Sequence, residues 1–226
     1  MKNGPWRLRL LVAGSMIITA ILFLWIQQSP NDMTLRQKVL KAIYPALMWV
    51  TGIGKKSAVH EHRSSRLAPV SFYSLQAVSI QGEAIDWGSL RGKKVLLVNT
   101  ASDCGYTAQY AALQELQDRF PERLVIIGFP ANDFKQQEQG DNASIAAFCQ
   151  RNYGVRFKLT QKTSVVPGGL QHPVYRWLTD PAQNGWNTKA PAWNFSKYLV
   201  DEEGRLTHYF EPSVSPLSDV VMGALQ

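Results

Sequence analysis

Two apolar runs with a helix-period segment between them limit the folds open to this chain. Residues 94–100 read KVLLVNT and residues 124–129 read LVIIGF. Neither run alternates polar with apolar residues, so both predict buried strands. Between them, residues 108–120 put Ala112, Leu113, Leu116 and Phe120 on one side of a helix. The unit is strand, helix, parallel strand.

The flanking segments complete one domain that begins at Ser71. Residues 72–85 read as a short strand pair turning at Gln81-Gly82, and 142–153 as a helix capped by Asp141 or Asn142. A short helix is expected over 172–179. Residues 195–200 and 205–210 flank Asp201-Glu202-Glu203-Gly204 as a strand hairpin. A closing helix is expected over 216–225. The order β-β-β-α-β-α-α-β-β-α, with a βαβ unit followed by an antiparallel hairpin, is the thioredoxin-like α/β arrangement, a central mixed sheet flanked by helices.

Charge divides the chain. Residues 1–70 hold 10 Lys+Arg against 2 Asp+Glu, and 71–226 hold 14 against 15. The net charge of +7 therefore belongs to the N-terminal third, and the domain is near neutral. That argues against a nucleic-acid-binding face. Two cysteines, Cys104 and Cys149, are too few for a disulfide scaffold or a Cys-based zinc site, and four histidines leave little material for a metal centre.

The N-terminal third reads as an anchor and a connector. Residues 1–9 form a basic flank. Residues 10–26, LLVAGSMIITAILFLWI, carry no charge and suit one short transmembrane helix. The residues after the run offer poor signal-cleavage sites, so an uncleaved signal anchor is expected. The basic flank should stay in the cytosol, which puts the domain on the periplasmic (exoplasmic) side of an inner membrane. A mitochondrial inner membrane would suit the flank almost as well. In the connector, 27–70, Leu35, Val39, Leu40, Ile43 and Leu47 recur at helical spacing until Pro45 interrupts and Gly52 and Gly54 end the pattern. Such a helix lies either on lipid headgroups or in solvent. Residues 55–65 read as a polar, flexible link containing His60 and His62.

The chemistry centres on Cys104, which directly follows the first buried strand and precedes the helix. Unpaired N–H groups and the positive helix end are expected to stabilise its thiolate there. In a dithiol exchanger a second sulfur would follow two residues on, but Cys104-Gly105-Tyr106-Thr107 ends in threonine. A single activated cysteine fits attack on an O–O bond, giving a sulfenic acid.

Three separated motifs sharpen this. VNTASDCGYT (98–107), FPANDFKQQEQG (129–140) and WNFSKYLVDEEG (193–204) resemble, in order and spacing, the signatures of the glutathione peroxidase family across 71–226. The resemblance implies a catalytic tetrad of Cys104, Gln137, Trp193 and Asn194, whose amide and indole N–H groups converge on sulfur. The backbone N–H groups of Gly105 and Tyr106 are further candidates. It implies no bound cofactor and no metal, only a hydroperoxide substrate and a thiol co-substrate, glutathione or a thioredoxin-like protein.

The chain departs from the family pattern at Asp133, where Gln is usual, and at Gln139, where Pro is usual. An acid at 133 would raise the thiol pKa if it pointed inward. The short stretch between Gly168 and Trp193 resembles the monomeric bacterial and phospholipid-hydroperoxide subgroup and implies a monomer. Members of the cysteine type often resolve the sulfenic acid with a second cysteine in the following helix. Cys149 lies in that helix, one residue earlier than the usual position, and shares an apolar face with Ile145 and Phe148, so it is either resolving or structural. The expected function is a membrane-anchored thiol peroxidase. The competing reading is a redox sensor or thiol relay that passes oxidation from Cys104 to a partner.

Overall fold

The structure, a computed structural model, describes residues 33–52, 59–62 and 66–226. The basic flank and the expected anchor at 10–26 lie outside the described residues. Among the described residues, no helix is long and apolar enough to cross a membrane.

Among the described residues, six strands form one mixed sheet. In chain order these are β1 (Val59–Glu61), β2 (Lys94–Thr100), β3 (Leu124–Pro130), β4 (Lys158–Leu159), β5 (Lys197–Val200) and β6 (Leu206–Phe210). Their spatial order is β1-β6-β5-β2-β3-β4. β2 runs parallel to β3, from Lys94 opposite Leu124 to Thr100 opposite Pro130, and antiparallel to β5. The helices are α1 (Leu35–Gly52), α2 (Gln109–Arg119), α3 (Asn142–Tyr153), α4 (Pro173–Thr179), α5 (Pro181–Asn184) and α6 (Asp219–Ala224).

Alternation along β2 feeds two apolar layers. Leu96 and Val98 pack in one with Tyr110, Leu113 and Leu116 of α2 and Ile145 and Cys149 of α3. Val95 and Leu97 pack in the other with Val174, Trp177 and Leu178 of α4 and with Phe72 and Trp87. The continuous apolar reading of β2 and β3 follows from this double cover. Gly128 is required by close packing: a Cβ there would lie 2.7 Å from Leu159 Cδ2 in neighbouring β4.

Several expectations are corrected. Residues 72–85 form a single 3-10 turn at Phe72–Ser74 and an isolated bridge, Val78 to Ala84, rather than two strands. The Phe72 side chain is buried edge-on against Trp87, and that packing replaces strand pairing at this end. Within the link read as flexible, Val59–Glu61 is an edge strand paired antiparallel with β6. Backbone bonds to β6 hold it, so its polar composition carries no signal. His62 stacks on Trp186 with ring centroids 5.2 Å apart. Pro45 does not stop α1, which runs on to Gly52. Proline removes one hydrogen bond to the carbonyl four residues back, a loss tolerated here because Pro45 lies on the exposed side.

Among the described residues Lys197 is the one lysine in the core, 0% exposed. Its Nζ donates to the carbonyls of Phe195 and Val214, both at 2.8 Å, and to that of Pro212 at 3.4 Å. It ties the loop entering β5 to the segment after β6, and burial pushes its pKa well down. Lys197→Met keeps the chain volume but strands the carbonyls of Phe195 and Val214, while that of Pro212 keeps its bond from Gln109, so it should lower stability by roughly 2–4 kcal/mol. Urea unfolding of both proteins measures this, and equal midpoints would remove the tie from the account.

Candidate active site

The sheet topology brings the three sequence motifs to one edge. β2 and β3 are parallel, so both C-terminal ends point the same way, and antiparallel β5 begins where they end. The loops after β2 and β3 and the loop before β5 therefore meet. Asn99, near the end of β2, fastens the third loop: its Nδ2 donates to the Trp193 carbonyl at 3.0 Å, and its own carbonyl accepts from Phe195 N at 2.6 Å. Phe195 takes a positive φ of 67° to make that turn. The second loop is fastened by Asp103 N, which donates to the Gln137 carbonyl at 3.0 Å.

Cys104 lies in the loop between β2 and α2 and is 1% exposed. Thr107, at the place of a second sulfur, holds the loop shut. Its Oγ1 accepts from Cys104 N at 2.9 Å and donates to the Ala101 carbonyl at 2.8 Å, while its N–H donates to the Cys104 carbonyl at 3.1 Å. The sulfur accepts from Tyr106 N at 3.4 Å, and the Trp193 and Asn194 side chains favour its thiolate. The Asn194 amide donates to Gln137 Oε1 at 3.0 Å, so Gln137 orients Asn194 through this bond. The four positions expected as a tetrad come together at this edge, Gln137 through its bond from Asn194 and Trp193 and Asn194 through their effect on the sulfur. Trp193 also packs against Phe134, with Lys135 over its ring.

The electrostatics correct one expectation. Burial pushes the Cys104 thiol above its ordinary value. The Tyr106 N–H, Trp193 and Asn194 pull it back, and the Asp103 carboxylate pushes it further up. Donors alone suggested a net stabilised thiolate, but the near-complete enclosure outweighs them. The feared acid at 133 points elsewhere: Asp133 accepts from Ser164 Oγ and Val165 N, both at 2.8 Å. The acid beside the sulfur is Asp103, which is paired with Arg36 of α1. Its adjacency to Cys104 in sequence was the available signal. The loops also hold Glu138, buried and pushed up to about 7 by desolvation, with Ser102 Oγ donating to it at 3.0 Å.

Cys149 faces inward from α3. The helix starts at Asp141, whose carboxylate accepts from Ser144 N at 2.8 Å, and ends at left-handed Gly154. Cys149 is fully buried in the same apolar layer as Cys104, and both thiols are free. Burial pushes its pKa up to about 12. The helix therefore presents Cys149 to the layer that holds Cys104, whatever its offset from the usual position.

The model of the family described as glutathione peroxidase matches residues 72–179. A glutathione peroxidase of Lactococcus lactis is 40% identical over 148 residues, 65% of this chain and 93% of its own length. The glutathione peroxidase-like peroxiredoxin HYR1 of Saccharomyces cerevisiae is 41% identical over 148 residues, 65% of this chain and 90% of its own. The crystal structure of T. cruzi GPX1 superposes with a TM-score of 0.51 at 26% identity, over 69% of this chain and 96% of that one. With Cys104, Gln137, Trp193 and Asn194 converging at the edge of such a domain, the chain belongs to the glutathione peroxidase family.

Proposed function

We infer that the chain is a thiol peroxidase that reduces hydroperoxides at Cys104. The observation that carries this is a nearly enclosed sulfur that accepts from Tyr106 N, with Trp193 and Asn194 favouring its thiolate and no second thiol in its loop. The thiolate attacks the distal peroxide oxygen, and the O–O bond breaks. The alkoxide or hydroxide leaves with a proton as alcohol or water, and Cys104 becomes a sulfenic acid. Tyr106 N–H, Trp193 and Asn194 stabilise the charged sulfur without competing as nucleophiles, and Gln137 keeps Asn194 aimed. The reaction needs no bound cofactor on this reading.

Recycling takes two electrons from a thiol reductant. In the favoured route Cys149 attacks the sulfenic sulfur and water leaves, so that a Cys104–Cys149 disulfide forms for a thioredoxin-like protein to reduce. Its support is that both sulfurs share one apolar layer. Because Cys149 is protonated and enclosed at rest, α3 must loosen before the sulfurs bond. The other route leaves Cys104 sulfenic acid to an external thiol such as glutathione. We place the protein as a monomer anchored by residues 10–26 with its domain on the exoplasmic side, which makes membrane lipid hydroperoxides natural substrates.

Cys104→Ser should abolish peroxide consumption. Asn194→Ala or Trp193→Phe should each lower kcat/KM for hydrogen peroxide by roughly 10- to 1000-fold. Gln137→Ala should lose less, since it acts through Asn194. Stopped-flow peroxide consumption ranks the four, and a Gln137 loss exceeding that of Asn194 would reverse the assigned order.

The pH dependence has a definite sign. Thiolate is the reactive form and the Cys104 thiol sits above its ordinary value, so kcat/KM should climb through neutral into alkaline pH. Asp103→Asn removes the charge that pushes the thiol up, so its profile should move to lower pH. A shift to higher pH would show that Asp103 acts otherwise.

One equivalent of hydroperoxide added to the reduced chain separates the recycling routes. Loss of both thiols with no added oxygen in the intact mass is expected. Loss of one thiol with one added oxygen would assign recycling to an external thiol. Unchanged peroxide would sink the peroxidase reading.

A further inference from the structure

α1 lies outside the stretch matched by the family model, yet it is built onto the catalytic loop. Arg36 pairs with Asp103, and Gln37 Nε2 donates to the Ser102 carbonyl at 3.1 Å. Leu47 packs so closely on Gly105 that a Cβ there would lie 3.3 Å from its Cδ2. Lys41 Nζ donates to the Asn152 carbonyl at 3.2 Å and sits over the Tyr153 ring. Met33, just ahead of the helix, is buried in the core layer that holds both cysteines. One face of α1 is thus committed to the domain.

The other face is apolar and exposed. Leu35, Val39 and Ile43 are 70%, 37% and 44% exposed. Positions four apart drift by only about 40° around a helix, so the three form one stripe. Single exposed aliphatic residues are ordinary, but a stripe of three on a docked helix calls for a covering surface. Two facts identify that surface. The helix has no acidic residue, and Lys38 flanks the stripe. The stripe also begins only eight residues after the apolar run 10–26. An extended chain of that length reaches at most about 29 Å, so α1 cannot leave the neighbourhood of a bilayer that holds the run.

We propose that Leu35, Val39 and Ile43 rest on a lipid surface, so that α1 clamps the catalytic loop at the membrane boundary with its inner face against the domain. The proposal rests on the anchor reading of residues 10–26. Lys38 reaches from the edge of the stripe toward anionic headgroups. The orientation of the Cys104 loop relative to the bilayer is then set by a helix and not by a loose tether.

The test uses the full chain with dansylalanine in place of Val39, reconstituted into phosphatidylcholine–phosphatidylglycerol vesicles with or without acyl-chain bromine. Flotation reports the anchor, and hydrogen peroxide consumption reports the folded site. The expected result is co-flotation with at least twofold quenching by brominated lipid, lost on adding Leu35→Ser and Ile43→Ser while peroxide consumption persists. Co-flotation with blue-shifted but unquenched emission would overturn the proposal in favour of a protein cover, either residues 1–32 or a second copy. Co-flotation with water-like emission would overturn it in favour of a solvated helix. A chain that stays with the soluble fraction would fail at the anchor instead, and the lipid contact would fall with it.

Discussion

The pairing of β2 with strands of opposite direction on its two edges is the constraint from which the site follows. Parallel β3 delivers its C-terminal loop, and antiparallel β5 delivers its N-terminal loop, to the point where β2 releases Cys104. Asn99 closes the arrangement by bonding the third loop with both its side chain and its backbone. A strand with two parallel neighbours would not bring the beginning of one and the end of the other to the same edge. The double burial of β2 also fixes its register, because a slip of one residue would exchange the two apolar layers. Lys197 adds a second fixture from behind by holding the carbonyl of Phe195, next to the Trp193-Asn194 pair.

The site balances enclosure against charge. Enclosing the sulfur keeps water away from it, but the same enclosure disfavours the thiolate the chemistry needs. Three donors offset part of that cost, and Arg36 tempers the one carboxylate that adds to it. That tempering comes from α1, a segment outside the part matched by the family model, so the electrostatics of the catalytic loop are partly set from beyond the family domain.

The fold was legible wherever burial imposes a period. β2, β3, α2, α3 and the hairpin of β5 and β6 stand where the runs and the Asp201–Gly204 turn put them. Asp141 caps α3 as its position suggested. The edge strand Val59–Glu61 and the two-residue β4 were not legible, because backbone bonds to a neighbour hold them and neither strand has a side-chain pattern of its own. The tetrad was legible as three motifs, since spacing along the chain survives whatever the loops do. The direction of each side chain was not. Asp133 turns to Ser164 and Val165, Gln137 meets Asn194, and the carboxylate that acts on the sulfur belongs to Asp103. Each outcome depends on loop geometry that residue type leaves open. Packing of α1 on the loop was hidden for the same reason: amphipathic spacing reveals that a helix has two faces, not what lies against each.

Thr107 has a consequence for how the centre passes through a cycle. The geometry around Cys104 is held by an oxygen that donates to one carbonyl and accepts from the cysteine's own N–H. A hydroxyl does not change valence between turnovers. The bonds that hold the loop therefore contain no redox-active atom, whereas a thiol at that position would itself change bonding on oxidation.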